Sequence, residues 1–170
     1  MDTCLKWIKW PFAVVAVLLF PGAAWKLVEL SIEITARPEP FLPFLVGAAG
    51  FMLGWILLFR KWKWVQTFAV LEHEITHAIF AFLTLRGISS ISADSSGKGH
   101  VEYPGPGSWL ILIAPYWFPT VSVLVALLIG VLDRSVLVHA NIILGMTVSY
   151  QLASTWTETH AGQKDLGRQG

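Results

Sequence analysis

Three residues of this sequence have the types and spacing of a catalytic metal site: His73, Glu74 and His77, in the order His73-Glu74-Ile75-Thr76-His77. On a helix an i, i+4 histidine pair lies on one face, one turn apart, so both rings can reach a single ion. Glu74 projects about 100° from His73, within reach of a water on that ion. One Zn2+ suits such a set, because zinc takes histidine nitrogen, has no redox chemistry and lowers the pKa of a bound water towards ~7. The expected reaction is peptide-bond hydrolysis, with Glu74 as the base that deprotonates the zinc-bound water and returns the proton to the leaving amine. A lone histidine in an apolar helix reads as a packed polar residue. A pair at ligand spacing around a glutamate reads as a metal site. Glu72 sits beside the motif on another helical face and is assigned no catalytic part.

A catalytic zinc ion usually has three protein ligands and one open position. A third histidine six residues after His77 would complete the set, but that position is Leu83. The remaining options are Glu102, Glu158, His100, Asp133, His139, His160 and Asp165. Asp133 stands next to Arg134 and reads as half of a loop ion pair, and His139 reads as interfacial or packed between helices. His100 and His160 lie in polar stretches where a solvated ring is the commoner state.

The elements that must carry these residues are apolar. Of 170 residues, 55% are hydrophobic and 14% charged, against about 25% charged in a soluble globular chain. Mean hydropathy is +0.61. Too few charges exist to build a water-facing surface. The net charge of +1 provides no basic field for nucleic acid. The single cysteine, Cys4, excludes an internal disulfide and a cysteine-rich zinc site. Nine Trp and ten Phe suit the bilayer interface.

Five apolar runs are read as membrane spans of about 20 residues each: Trp10 to Leu27, Phe41 to Phe59, Trp64 to Leu85, Trp109 to Leu132 and Val136 to Leu152. The first has a rival reading as a signal peptide, with Gly22-Ala23-Ala24 as a small-residue cleavage site. Trp25, Leu27 and Val28 extend it past that point and favour a retained helix. Lys6 and Lys9 precede the first run, and Arg60, Lys61 and Lys63 follow the second. Two crossings put both clusters on one side, the cytoplasmic one. The Glu29 to Pro40 stretch, with three Glu against one Arg, lies opposite. His73 then falls about 14 Å into the third helix from the cytoplasmic face. The polar Ser/Gly-rich stretch 88–108 admits a short β hairpin after the metal-binding helix. The expected fold is therefore an all-α polytopic membrane protein of about five transmembrane helices, one domain over 1–170.

A His-Glu-x-x-His motif inside a membrane helix resembles the site-2 protease family of intramembrane zinc metallopeptidases. Leu71 to Gly87 is similar to that family's metal-binding helix and the turn after it. Gly99-His100-Val101-Glu102-Tyr103 resembles its short β element near the site, and Ala114-Pro115-Tyr116-Trp117-Phe118-Pro119 the start of a following helix in small members. The family's third ligand is an aspartate from a later helix, often in an Asp-Gly pair. That pair is absent, and Gln163-Lys164-Asp165-Leu166-Gly167 is the nearest match. The resemblance thus implies Asp165 as third ligand with His73 and His77, and Glu102 is the fallback. Asp165 lies beyond the fifth run and reaches the site only if 155–167 folds back into the membrane. The resemblance also implies membrane-protein substrates cut in or beside a transmembrane segment, and a place in the cell membrane. A second reading, from another class, is a proteolytically inactive membrane scaffold or regulator that retains the motif. Substrate identity and oligomeric state are left open.

Overall fold

The computed structural model describes residues 2–93, 99–104 and 108–160. It is helical apart from one hairpin. In chain order come α1 (Asp2–Ala36), α2 (Leu42–Leu57), α3 (Lys63–Leu83), β1 (Ser90–Ala93), β2 (Gly99–Glu102), α4 (Trp109–Trp117), α5 (Thr120–Ile129) and α6 (Leu137–His160). The chain divides into two compact units, Met1–Leu42 and Pro43–Gly170. The first is α1 with the short turn after it. The stretch from Glu29 to Ala36, read from its charges as loop, is the end of this helix, where Glu29 accepts from Trp25 Nε1 at 2.7 Å and meets Lys26 at 2.5 Å.

The five expected spans are not all confirmed. Among the described residues two helices are long and apolar enough to cross a membrane, Trp10–Ala36 and Glu39–Leu57, and a third span results if the bent pair α4 and α5 counts as one. The run Trp109 to Leu132 is broken: α4 and α5 meet at 66°. Phe118 precedes Pro119, and a residue before proline is pushed out of the helical region. Phe118 accordingly sits at φ −97°, ψ 110°. Ala114 to Pro119, expected to begin a helix, is the end of α4 and this elbow. α3 and α6 are long enough, but each carries a polar face. In α6 that face carries Ser149, Gln151, Ser154 and Thr155, and the helix runs on past Leu152 to His160.

The second unit is built with its polar groups inside. On α3 the side chains of Glu72, His73, Glu74, Thr76 and His77 are buried, while Phe68, Leu71, Ile75, Phe82 and Leu83 are exposed. A water-soluble helix sorts its residues the other way. Ionisable residues turned into the bundle and apolar ones turned out are what a bilayer requires. The core beneath the motif joins Phe80 and Ala81 of α3 to Ile111 and Ala114 of α4, with Tyr103 and Phe118 against it.

α3 ends in a left-handed residue, Leu85 at φ 57°. Leu85 N–H donates to Phe82 O and Arg86 N–H to Ala81 O, each at 2.9 Å, which closes the last carbonyls as helix C-termini commonly do. The chain then turns into the hairpin. β1 pairs antiparallel with β2 in the register Ser90↔Glu102, Ile91↔Val101, Ser92↔His100, Ala93↔Gly99. The Arg86 guanidinium, 5.9 Å from the centre of the Tyr103 ring, ties the hairpin's base to the end of α3. α2 and α6 cross at two glycines. A Cβ on Gly47 would overlap the backbone of Ile142, and one on Gly145 the backbone of Phe44.

Candidate metal and catalytic centre

α3 holds both histidines by its own repeat, and its neighbours fix how they point. His77 Nε2 and His73 Nε2 are 3.1 Å apart. The rings meet nearly edge to face, at 79° with centroids 4.8 Å apart. His77 Nδ1 lies 2.7 Å from the carbonyl oxygen of Ile111 in α4. A carbonyl can only accept, so Nδ1 carries the hydrogen and donates. In the neutral ring Nε2 of His77 then keeps its lone pair, turned towards His73. Tyr116, also on α4, packs its ring against His73 at 84° with centroids 5.5 Å apart.

These two nitrogens fit a zinc ion. Two ligands at about 2.0–2.1 Å from a tetrahedral ion stand about 3.3 Å apart, close to the separation seen. The carbonyl behind His77 is the usual outer partner of a metal-binding imidazole. Among the described residues no group of three His, Cys, Asp or Glu could hold an ion. Asp165 lies outside the described residues, as do the side chains of Glu158 and His160. The other acidic and histidine options are placed, and none joins the pair. Glu102 is on the exposed face of the hairpin, accepting from Ser90 Oγ at 3.1 Å and lying 3.4 Å from His100 Nε2. His139 is exposed near the start of α6. Asp133 accepts the Ser135 N–H at 2.9 Å. That hydrogen bond holds its carboxyl below the usual aspartate value.

Glu74 is buried against the hairpin. A Cβ added to Gly99, the first residue of β2, would overlap the Glu74 carboxylate. The strand backbone thus passes directly over the carboxyl group, which only the absence of a side chain at 99 permits. Thr76, the fourth residue of the motif, is fully buried. Its hydroxyl donates to the carbonyl of Glu72 at 2.9 Å and meets the hydroxyl of Thr120 at 2.5 Å. With the Thr76 hydrogen committed to Glu72, Thr120 is the donor of that second bond. Glu72 itself is buried, its Oε1 3.5 Å from the Thr76 hydroxyl.

The broken span therefore grips α3 twice, once on each side of its elbow: Ile111 on α4 holds His77, and Thr120 at the start of α5 holds Thr76. Neither partner was singled out from the sequence. A backbone carbonyl leaves no residue-type signal, and a threonine in an apolar run is common. Pro119 was the available sign that the run breaks there.

Comparison with curated protein sequences and with solved structures gives no significant match. A protein-family model does match, over residues 44–159, which takes in α3, the hairpin and the broken span. The chain belongs to the Peptidase M50B-like family.

Proposed function

We propose that the chain is a zinc metalloendopeptidase that hydrolyses peptide bonds in or beside the transmembrane segments of membrane-protein substrates. The observation that carries this reading is the 3.1 Å approach of the two buried Nε2 atoms, on a helix whose outer face is apolar. His73 and His77 are two ligands of one Zn2+, and Asp165 is the third. An anionic third ligand offsets part of the ion's charge, which matters more in a low-dielectric site than in water. A zinc ion held by these residues would supply Lewis acidity to the scissile carbonyl and to the attacking water. Glu74 takes the proton from that water and delivers it to the leaving amine nitrogen. The backbone at Gly99 covers the carboxylate and limits where it can swing.

A helical amide is already hydrogen-bonded and sterically closed, so a substrate segment must unwind before it is cut. Among the described residues the sheet has two strands, β1 and β2, and an unwound segment can add to an edge of it as a further strand. The site works within the cell membrane, with the Arg60 to Lys63 turn on the cytoplasmic side.

The test is metal content and cleavage of a reporter transmembrane substrate by the purified protein. Glu74→Gln should lose on the order of 10²–10⁴-fold in rate and keep its zinc, since Glu74 is the base and not a ligand. His73→Ala and His77→Ala should lose most of the metal. Zinc loss in Glu74→Gln would remove its assignment as base. A wild-type protein that takes up no zinc would return the chain to the scaffold reading.

A further inference from the structure

The acceptor that holds His77 is a helical carbonyl, which needs explaining. In an unbroken α-helix the Ile111 carbonyl would accept from the N–H of the residue four positions on. In α4 that residue is Pro115, which has no N–H. Its ring also crowds the carbonyl one turn back and tilts it away from the helix axis. Ile111 is fully buried and Pro115 is buried with it. A buried carbonyl must be paired, and the pairing here comes from the Nδ1–H of His77 at 2.7 Å.

We propose that Pro115 is a positioning residue for the metal site: by leaving the Ile111 carbonyl without a helical donor, it creates the fixed acceptor that holds His77 in its Nδ1–H tautomer with Nε2 turned to the ion. The proposal rests on the reading of His77 as a ligand. Each group answers a need of the other. The orphaned carbonyl gains a donor, and the imidazole gains one orientation and one tautomer. An amino acid with an N–H at 115 would let the helix claim the same oxygen, and His77 would have to share or lose its partner.

The experiment compares two variants of the full-length protein. Pro115→Ala restores the N–H. Replacement of Pro115 by the α-hydroxy analogue of alanine, introduced by nonsense suppression, has the same methyl side chain but an ester oxygen in place of the N–H. Two readouts are taken: zinc affinity by competition with a chelator, and the 15N shifts of the His77 ring in metal-free protein. Pro115→Ala should weaken zinc binding 10- to 100-fold, the range for loss of an outer partner, and give His77 a mixed-tautomer spectrum. Its thermal midpoint without metal should stay level or rise, because a proline has left a helix interior. The ester variant should keep wild-type affinity and a single Nδ1–H tautomer. Unchanged affinity and tautomer in Pro115→Ala would overturn the proposal. So would an ester variant as impaired as the alanine one, since the ring and its bend would then be what matters. If Pro115→Ala does not fold, the ester variant decides alone by the same two readouts. The ring spectrum is read without metal, so a wild-type protein that bound no zinc would refute the metalloprotease reading while leaving the tautomer result to judge Pro115.

Discussion

Gly99 lies against the carboxylate of Glu74, so close that a single added methyl group would occupy the space of the carboxyl oxygens. A strand residue thus sets the room available to Glu74, the proposed base, on a neighbouring helix. Gly99→Ala should push Glu74 out of line and lower the cleavage rate on the order of 10²-fold, the usual effect of misplacing a reacting group by about 1 Å. Zinc content should be unchanged, because Glu74 is proposed as the base and not as a ligand. A variant of full activity would show that the carboxylate adapts and that Gly99 is needed only for the hairpin.

Thr120 should matter through its hydroxyl. Thr120→Val keeps the shape and leaves the buried Thr76 oxygen without its donor, at a cost of about 1–3 kcal/mol. Activity should fall with stability, since Thr76 lies between the two histidines in sequence. Thr120→Ser restores the donor and should recover both. Equal behaviour of the Val and Ser variants in thermal unfolding and cleavage would mean that the hydroxyl pair contributes nothing.

The third ligand can be found by comparing three carboxylates. Asp165→Ala should weaken zinc binding and lose most activity, while Glu102→Ala and Glu158→Ala keep the metal. Glu102 already has partners on the hairpin, Ser90 and His100. Zinc content and reporter cleavage decide. If truncation after Glu158 left both unchanged, Asp165 would be a tail residue.

Topology has its own test. With Cys4 replaced by serine, a cysteine placed at Lys61 should resist a membrane-impermeant thiol reagent applied outside intact cells, and react once the cells are opened. Labelling from outside would reverse the orientation inferred from Lys6, Lys9, Arg60, Lys61 and Lys63.

Much of this site is legible in sequence because it is local. The i, i+4 spacing of His73 and His77 fixes their common face whatever surrounds them, and the charges among apolar neighbours imply a buried polar face. The hairpin follows from a Ser/Gly-rich stretch between helices. Hydropathy alone misleads at Trp109 to Leu132, because Pro119 changes the direction of the chain without changing its polarity. At α3 and α6 hydropathy gives a length but not which polar groups, such as Glu72, His73, Ser149 and Ser154, turn inward. The proposed third ligand, Asp165, is the hardest to read, because no local spacing encodes whether so distant a residue reaches the pair. Backbone groups such as the Ile111 carbonyl are written only indirectly, through the proline four residues on.

The crossing of α2 and α6 has a mechanical consequence. At Gly47 and Gly145 the two helices meet backbone to backbone. Side chains packed at an interface can change rotamer and let it slip from one arrangement to another, but a glycine has no rotamers to change. Any larger residue at 47 or 145 would therefore force the two helices apart there. If the chain takes a substrate as proposed, the elbow at Phe118 and Pro119, where the backbone leaves the helical region, is a joint at which an approach to His73 and His77 can open while the contact at Gly47 and Gly145 holds.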